Sequence, residues 1–423
     1  MKEKNLVKRR TILFGIGALI MGILVLINGA GFTQTAIALV ALYFGFTSLS
    51  EIFGRVILRN KDIPLWSNVF KFFIAGTIFD LNYFTDVPVN FIVIMLGVYQ
   101  LFMGAVYAIT FWMFRKNKLK GRGRFLWDAF WGLTIGLGSI FSPGGLDGEF
   151  MFLILGIYLI NLGISNIRDG LFFDNDRDRK NLRRKARVSL PVVFAAFIPA
   201  SNLNKLNQLI QGGEPPLMPA PEHEKNAEGK HRDLEVFIHT SDKDLFGAIG
   251  HVDICYKGQV ISFGSYDPFS ETLFGTMGDG VLFKVDRDKY LNFLKQGTSK
   301  TLFGYTLALT DEQEKAIEAR LAEIDSLTVE WEPSAELNKG EHIYPYVLKH
   351  ELGAKTYKFT GSRFKTYFVL STNCVLLADS ILGQAGTDIV SPKGVIAPGT
   401  YQSYLQYEYE SGNGLVVEQH TYQ

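Results

Sequence analysis

The chain has 423 residues and a formal net charge of +1, so its bulk charge offers nothing to nucleic acid or another polyanion. Its two cysteines, Cys255 and Cys374, are too few for a disulfide framework or a cysteine-based zinc site. The length suggests two or three domains, and the phenylalanine concentrated in the first part of the chain signals membrane rather than soluble core.

Thr11–Gly29 is an almost unbroken apolar run behind Lys8-Arg9-Arg10. Roughly 20 helical residues cross the hydrocarbon core, so this run is long enough to span. A cleaved signal peptide shares the basic start but has a shorter apolar run, and more spans follow here. They are Thr35–Leu58, Ser67–Phe84, Val89–Phe114, Phe125–Phe141 and Glu149–Phe172. The expectation is a six-helix transmembrane domain over residues 1–187, because backbone facing lipid must satisfy its hydrogen bonds within its own segment.

The connections set an orientation. Arg59 and Lys61 follow the second run, Arg115 to Arg124 follow the fourth, and Arg177 to Arg187 follow the sixth. The alternate connections, Ala30–Gln34, Thr85–Pro88 and Ser142–Gly148, hold no lysine or arginine. The positive-inside rule then puts both ends of the domain in the cytoplasm, in a cytoplasmic (inner) membrane. Polar residues within the runs (Glu51, Arg55, Asp80, Gln100, Asp128, Asn161 and Asn166) mostly lie near span ends and read as structural or interfacial.

The runs also repeat. Ala41 to Ser48, Gly97 to Gly104 and Gly156 to Gly163 each place a small residue two before a tyrosine and another five after it. Small residues at helical spacing let neighbouring helices approach, so three tandem hairpins are expected, with homo-oligomers through the same helices as a further expectation. On these repeats the region resembles the HdeD-type six-helix inner-membrane proteins, a family associated with acid resistance.

Val188–Ala200, bracketed by Pro191 and Pro199, is short for an ordinary span and reads as an interfacial helix on the inner leaflet. As a seventh crossing it would instead put the rest of the chain outside. A proline-rich linker runs to Asp233.

Residues 234–423 have the composition of a soluble α+β domain. Strands are expected at Leu234–Thr240, at His251–Tyr256 and Gln259–Phe263 as a hairpin around Lys257-Gly258, at Gly280–Val285 and at Thr301–Leu309. Helices are expected at Asp286–Leu294 and Thr310–Leu327, the latter opening on a capping box. Arg363–Leu370 reads as extended, Asn373–Leu382 as helix, and Gln402–Tyr409 with Leu415–Glu418 as additions to the sheet edge.

Ser371-Thr372-Asn373-Cys374 ends an apolar run and opens a helix-like pattern. A cysteine in the first helical turn meets unpaired N–H groups and the positive end of the dipole, both of which favour thiolate. It is a nucleophile if a histidine reaches it and a small core residue otherwise. His251 is the candidate, at the start of a strand behind Gly247 and Gly250. His239, His342 and His350 read as satisfied polar residues, and Cys255 as structural, with no cap or base of its own. No phosphate-cradling loop or metal-spaced motif is evident, so no cofactor is expected.

Histidine strand before cysteine helix, with Gly250-His251, Leu273-Phe274-Gly275, Tyr305–Glu312 and Asn373-Cys374 in that order, resembles the circularly permuted papain-like superfamily. That group includes lecithin:retinol acyltransferase-like enzymes and permuted NlpC-type hydrolases. The resemblance implies Cys374 as nucleophile and His251 as general base. The third residue, which orients the imidazole, usually lies on the next strand; Ser262 falls nearest, with Asp267 beyond it, and neither is the histidine or glutamate usual there. Asp253, on His251's own strand face, is an alternative. The Cys374 backbone N–H is the expected oxyanion donor, and Asn373 either caps the helix or assists the oxyanion.

The expected function is a membrane-anchored cysteine hydrolase or acyltransferase working through a thioester on acyl-lipid, lipoprotein or peptide and amide substrates. The alternative is a non-enzymatic, stress-related membrane protein whose papain-like domain binds or stabilises.

Overall fold

The computed structural model describes residues 2–57, 64–172, 227–239, 250–297, 302–334, 336, 344–387, 398–411 and 415–422. The expected interfacial segment at 188–200, nearly all of the linker and His342 lie outside them. Two compact units emerge, one made of Leu13–Trp112 with Gly121–Ile167, the other chiefly of Arg168–Gln423.

The first unit is helical: α1 (Lys2–Val56), α2 (Leu65–Phe84), α3 (Val87–Lys116), α4 (Arg122–Phe141) and α5 (Leu146–Phe172). Within α1, Asn28 is non-helical at φ −156° and ψ 81°, so two helices meet there. The Asn28 Oδ1 accepts the Gly31 N–H at 2.9 Å, satisfying a donor at the start of the second helix. Three helical stretches among the described residues are long and apolar enough to cross a membrane: Thr11–Val56, Val87–Lys116 and Gly148–Arg168.

Glycines carry the helix contacts. A Cβ added to Gly15 would stand 2.9 Å from Gly163 O, and one added to Gly22 would stand 2.9 Å from Gly156 O. Likewise, one on Gly97 would lie 3.0 Å from Gly136 O, and one on Gly132 would lie 2.9 Å from the Gly104 Cα. These are antiparallel contacts of α1 with α5 and of α3 with α4, with backbones closer than any larger residue allows. The repeat glycines thus join runs expected in different hairpins, not the two arms of one. A pair of amides adds a polar tie: Gln34 Nε2 donates to Asn82 O at 2.7 Å, and Asn82 Nδ2 to Gln34 O at 2.8 Å.

The second unit is built on an antiparallel eight-stranded sheet. In chain order its elements are β1 (His231–His239), β2 (His251–Tyr256), β3 (Gln259–Gly264), β4 (Met277–Asp279), β5 (Val281–Asp286), α6 (Arg287–Gly297), β6 (Leu302–Leu309), α7 (Asp311–Ser326), β7 (Thr328–Glu330), α8 (Tyr344–His350), β8 (Lys355–Phe359), β9 (Thr366–Phe368), α9 (Cys374–Leu382), α10 (Pro398–Ser411) and β10 (Val416–Tyr422). The strand order is β10-β6-β1-β2-β3-β5-β8-β7, and β4 pairs with β9 in a sheet of two.

Alternation along the strands divides the core. Val236, Ile238, Val252 and Ile254 pack with Ile317 of α7, Val375 and Ile381 of α9 and Leu405 of α10. Phe237, Cys255 and Phe283 face the other way, against Tyr290 and Leu291 of α6 and Val347 of α8. Both faces are covered, which explains why the central strands read as nearly continuous apolar runs. The β2–β3 turn is tight because Lys257 and Gly258 both take positive φ, 48° and 75°, the signs of a type I′ turn. The capping box opens α7 as expected, with Thr310 accepting from Gln313 N and Gln313 Oε1 accepting from Thr310 N.

Two expectations about this unit are corrected. Residues 402–409 are helical, not sheet edge: Tyr401, Tyr404, Leu405, Glu408 and Tyr409 are buried at helical spacing, and β10 alone fills the edge beside β6. Within Arg363–Leu370 only Thr366–Phe368 is strand, following a 3-10 turn, and it joins β4 rather than the main sheet.

Candidate functional site

Cys374 is the first residue of α9, and Asn373 is its cap. Asn373 Oδ1 accepts the Leu376 N–H at 3.1 Å while its Nδ2 donates to Val369 O at 2.9 Å. The side chain is held as a cap at both ends, which fixes the entry of the helix and the direction of the thiol. Cys374 is 3% exposed, and the His251 imidazole and the Val252 N–H both act electrostatically on its thiol, which in turn acts on the Tyr367 hydroxyl. Residues more than a hundred apart in sequence meet because α9 packs on β2.

His251 opens β2 immediately after Gly250, which sits at φ 76°, in the left-handed region where glycine is unstrained. The imidazole keeps 26% of its side chain open to solvent, so a substrate can reach it. Its Nε2 faces three oxygens: Ser262 Oγ at 2.9 Å, Asp253 Oδ1 at 2.9 Å and Tyr266 Oη at 3.2 Å. Ser262 on β3 also shares a hydrogen bond of 2.8 Å with Tyr266 Oη. The Asp253 Oδ1 contact is an ion pair lying off the line of a well-directed hydrogen bond.

Asp253 is wholly buried and takes further contacts at Oδ2, from His239 Nε2 at 2.6 Å and the Tyr290 hydroxyl at 2.8 Å. Its charge governs the electrostatics. Burial would raise the Asp253 carboxyl, but the imidazoles of His251 and His239 hold it far below the usual carboxylate range. Burial works against a charged His251, yet Cys374 and then Asp253 hold its pKa well above the ordinary imidazole value. For Cys374 burial again opposes charge; the His251 charge and hydrogen bond, then the Val252 N–H, bring the thiol below its ordinary value. The result favours a thiolate–imidazolium pair with a carboxylate behind it. Burial pushes the hydroxyls of Tyr266, Tyr290, Tyr344 and Tyr367 up, so all four remain protonated.

Of the residues singled out in the sequence, Cys374, His251, Ser262, Asn373 and Asp253 converge here. Asp267 does not; its carboxylate caps a 3-10 turn and pairs with Lys358 at 2.6 Å. Cys255 lies in the core between the sheet and α6, where burial pushes its thiol up to about 12. His350 lies 3.5 Å from Glu332, well away from this chemistry. Tyr266, Tyr290 and Tyr367 carry no local signal in the sequence, and His239, expected as a satisfied polar residue, joins the site because β1 pairing brings it opposite His251. Elsewhere, His231, Asp233 and Glu314 place ligand atoms within 4.8 Å of one another. There Lys257 Nζ already sits 2.8 Å from Glu314, and His231 2.9 Å from Asp311, so local ion pairs account for the group.

No protein-family model matches the chain, and neither a curated protein nor a solved structure is significantly similar to it.

Proposed function

We propose that this chain is a membrane-anchored thiol hydrolase or acyltransferase, with Cys374 as nucleophile and His251 as its acid–base partner. The observation that carries the reading is the buried cysteine at a capped helix start packed on the strand of an imidazole that acts on its charge and is backed by a buried carboxylate. On this reading the Cys374 thiolate adds to a substrate carbonyl, and the oxyanion is met by the backbone N–H at the start of α9. Collapse breaks the bond to the leaving alcohol or amine, which takes the proton carried by His251, and leaves a thioester on Cys374. Neutral His251 then removes a proton from water or a second acceptor, whose oxygen or nitrogen displaces the thiolate and releases product.

The order of elements, histidine strand before cysteine helix, supports a permuted papain-like domain. The helical state of the six runs supports reading the helical unit as a six-helix, HdeD-like bundle of three tandem hairpins, with the glycine contacts packing helices of different hairpins together. The basic connections favour a cytoplasmic C-terminal domain in the inner membrane, where acyl chains of lipid or lipoprotein precursors are the nearest substrates.

The test is acylation of the full chain, in detergent or nanodiscs, by an activated acyl ester, followed by mass mapping. A hydroxylamine-sensitive acyl group on Cys374 that His251→Ala no longer acquires is the expected result. An unmodified Cys374, or equal acylation of both proteins, overturns the assignment.

A further inference from the structure

His239 is the second histidine of the site, and its place follows from register. β1 and β2 are antiparallel with His239 directly opposite His251, and the two rings lie 5.5 Å apart, centroid to centroid. Directly opposed residues share a face of the sheet, and Asp253, two residues beyond His251, shares it too. The Asp253 carboxylate therefore lies between the two imidazoles, and its oxygens are divided: Oδ1 faces His251 at 2.9 Å, and Oδ2 faces His239 at 2.6 Å.

The division matters because a carboxylate turns about its Cβ–Cγ bond over a broad torsional range. The Oδ1 contact to His251 is poorly directed and cannot fix that torsion by itself. Oδ2 holds the firmer contacts: His239 at 2.6 Å on the sheet side and the Tyr290 hydroxyl at 2.8 Å from α6. Two donors from separate elements, converging on one oxygen, decide where the other oxygen points. The side chain of His239 is only 11% exposed, so water competes little for its proton.

We propose that His239 is a positioning residue for the Cys374–His251 pair, acting through Asp253, with the Tyr290 hydroxyl as the second donor. The proposal rests on the thiol-nucleophile reading above and adds a role for a residue that touches neither the thiol nor a substrate. The groups facing His251 are His239 from β1, Asp253 from β2, Ser262 from β3, Tyr266 from the following turn and Cys374 from α9. Tyr367 reaches the thiol from β9.

The experiment uses the full chain in nanodiscs and follows the rate of Cys374 alkylation by iodoacetamide against pH, with the Cys374 peptide quantified by mass spectrometry. Loosening Asp253 weakens the imidazolium, so the thiolate loses part of its counter-charge and the acid limb of the profile moves to higher pH. For His239→Leu the expected shift is about one pH unit upward, a charge at hydrogen-bonding distance being worth roughly one to three. His239→Gln, which keeps a side-chain N–H, is expected within about a third of a unit of wild type. A role confined to packing would move neither limb nor distinguish Leu from Gln. Superimposed wild-type and His239→Leu profiles, or equal shifts for Leu and Gln, overturn the proposal. Should His239→Leu fail to fold by circular dichroism, Tyr290→Phe carries the test: a smaller shift in the same direction supports the proposal, and none overturns it. A wild-type Cys374 that titrates as an ordinary thiol removes the nucleophile reading and this proposal with it. A depressed wild-type limb that His239→Leu leaves in place removes this proposal alone.

Discussion

Cys255 and Cys374 are equally buried, each 3% exposed, yet their thiols are driven in opposite directions. Cys255 lies in the middle of the sheet among Phe237, Val260 and Tyr290, and burial leads the causes that push its thiol up to about 12; the nearby Glu235 carboxylate adds to them. Cys374 faces the same burial and comes out lowered, because His251 supplies a positive charge and the Val252 N–H a donor. Desolvation is common to both: it prevails at Cys255 and is outweighed at Cys374. The difference is local: Cys374 has a capped helix start and an imidazole charge beside it, and Cys255 has mainly apolar contacts. Reactivity at a buried thiol follows from what compensates its charge.

The comparison breaks most readily at Cys374 itself. Cys374→Ala is expected to lower activated-ester turnover by at least about a thousandfold, the range in which loss of a nucleophile leaves only residual binding and oxyanion effects. Cys255→Ala is expected to leave turnover within about twofold, since it touches no reacting group. Next in size, His251→Ala should cost about a hundred- to ten-thousandfold. It should also make Cys374 resemble Cys255 in alkylation by iodoacetamide. In wild type the thiol lies below its ordinary value, so the acid limb of labelling should lie at lower pH than for an ordinary thiol. Without His251, only the Val252 N–H is left to oppose burial and the Asp253 charge, and the same limb should move to higher pH. If His251→Ala leaves the limb in place, the contrast between the two cysteines does not come from the imidazole.

Much of this contrast was legible in the sequence because its signals are local. Asn373-Cys374 at the end of an apolar run marks a helix start, and Gly250-His251 marks a strand entered through a left-handed residue. Period-two alternation puts Asp253 on the face of His251. What stayed hidden depends on pairing. His239 joins the site through the β1–β2 register, and Tyr290 and Tyr367 reach it from α6 and β9, elements whose placement no local spacing specifies. The helix at Pro398–Ser411 had a readable pattern in Tyr401, Tyr404, Leu405 and Glu408, but tyrosines at close intervals also suit a strand, and the two periods compete over so short a run. In the helical unit, the glycine repeat announced close contacts without saying which helix would supply the partner.

A smaller effect separates the two candidates for orienting His251. Asp253 and Ser262 both approach Nε2 at 2.9 Å, so distance does not rank them. Charge does: Asp253 is buried and ionised, whereas Ser262 is a neutral hydroxyl whose place at Nε2 Tyr266, at 3.2 Å, can partly fill. Asp253→Asn is therefore expected to cost about ten- to a hundredfold in kcat/KM, the loss of one or two pK units of support for the imidazolium. Ser262→Ala is expected to cost about threefold or less, as for one neutral hydrogen bond with a substitute at hand. The reverse ranking in steady-state kinetics would return the orienting role to Ser262.

The smallest effect falls on stability and completes the contrast. Cys255 fills space between Phe237 and Val260, and truncating it to alanine removes one buried sulfur. The expected cost is about 1 kcal/mol. For a unit of this size that lowers the thermal midpoint by about 2–4 °C, with alkylation of Cys374 unchanged. Cys374→Ala removes the same sulfur from an equally buried place but also dissolves a charge pair whose formation cost desolvation of both partners. Its midpoint should fall by less than that of Cys255→Ala, or rise, because neutral His251 is then relieved of carrying charge in a largely buried site. A thermal ramp of the two variants in nanodiscs decides between them. A larger fall for Cys374→Ala would mean that the pair stabilises the fold and that its geometry is not held at the expense of stability.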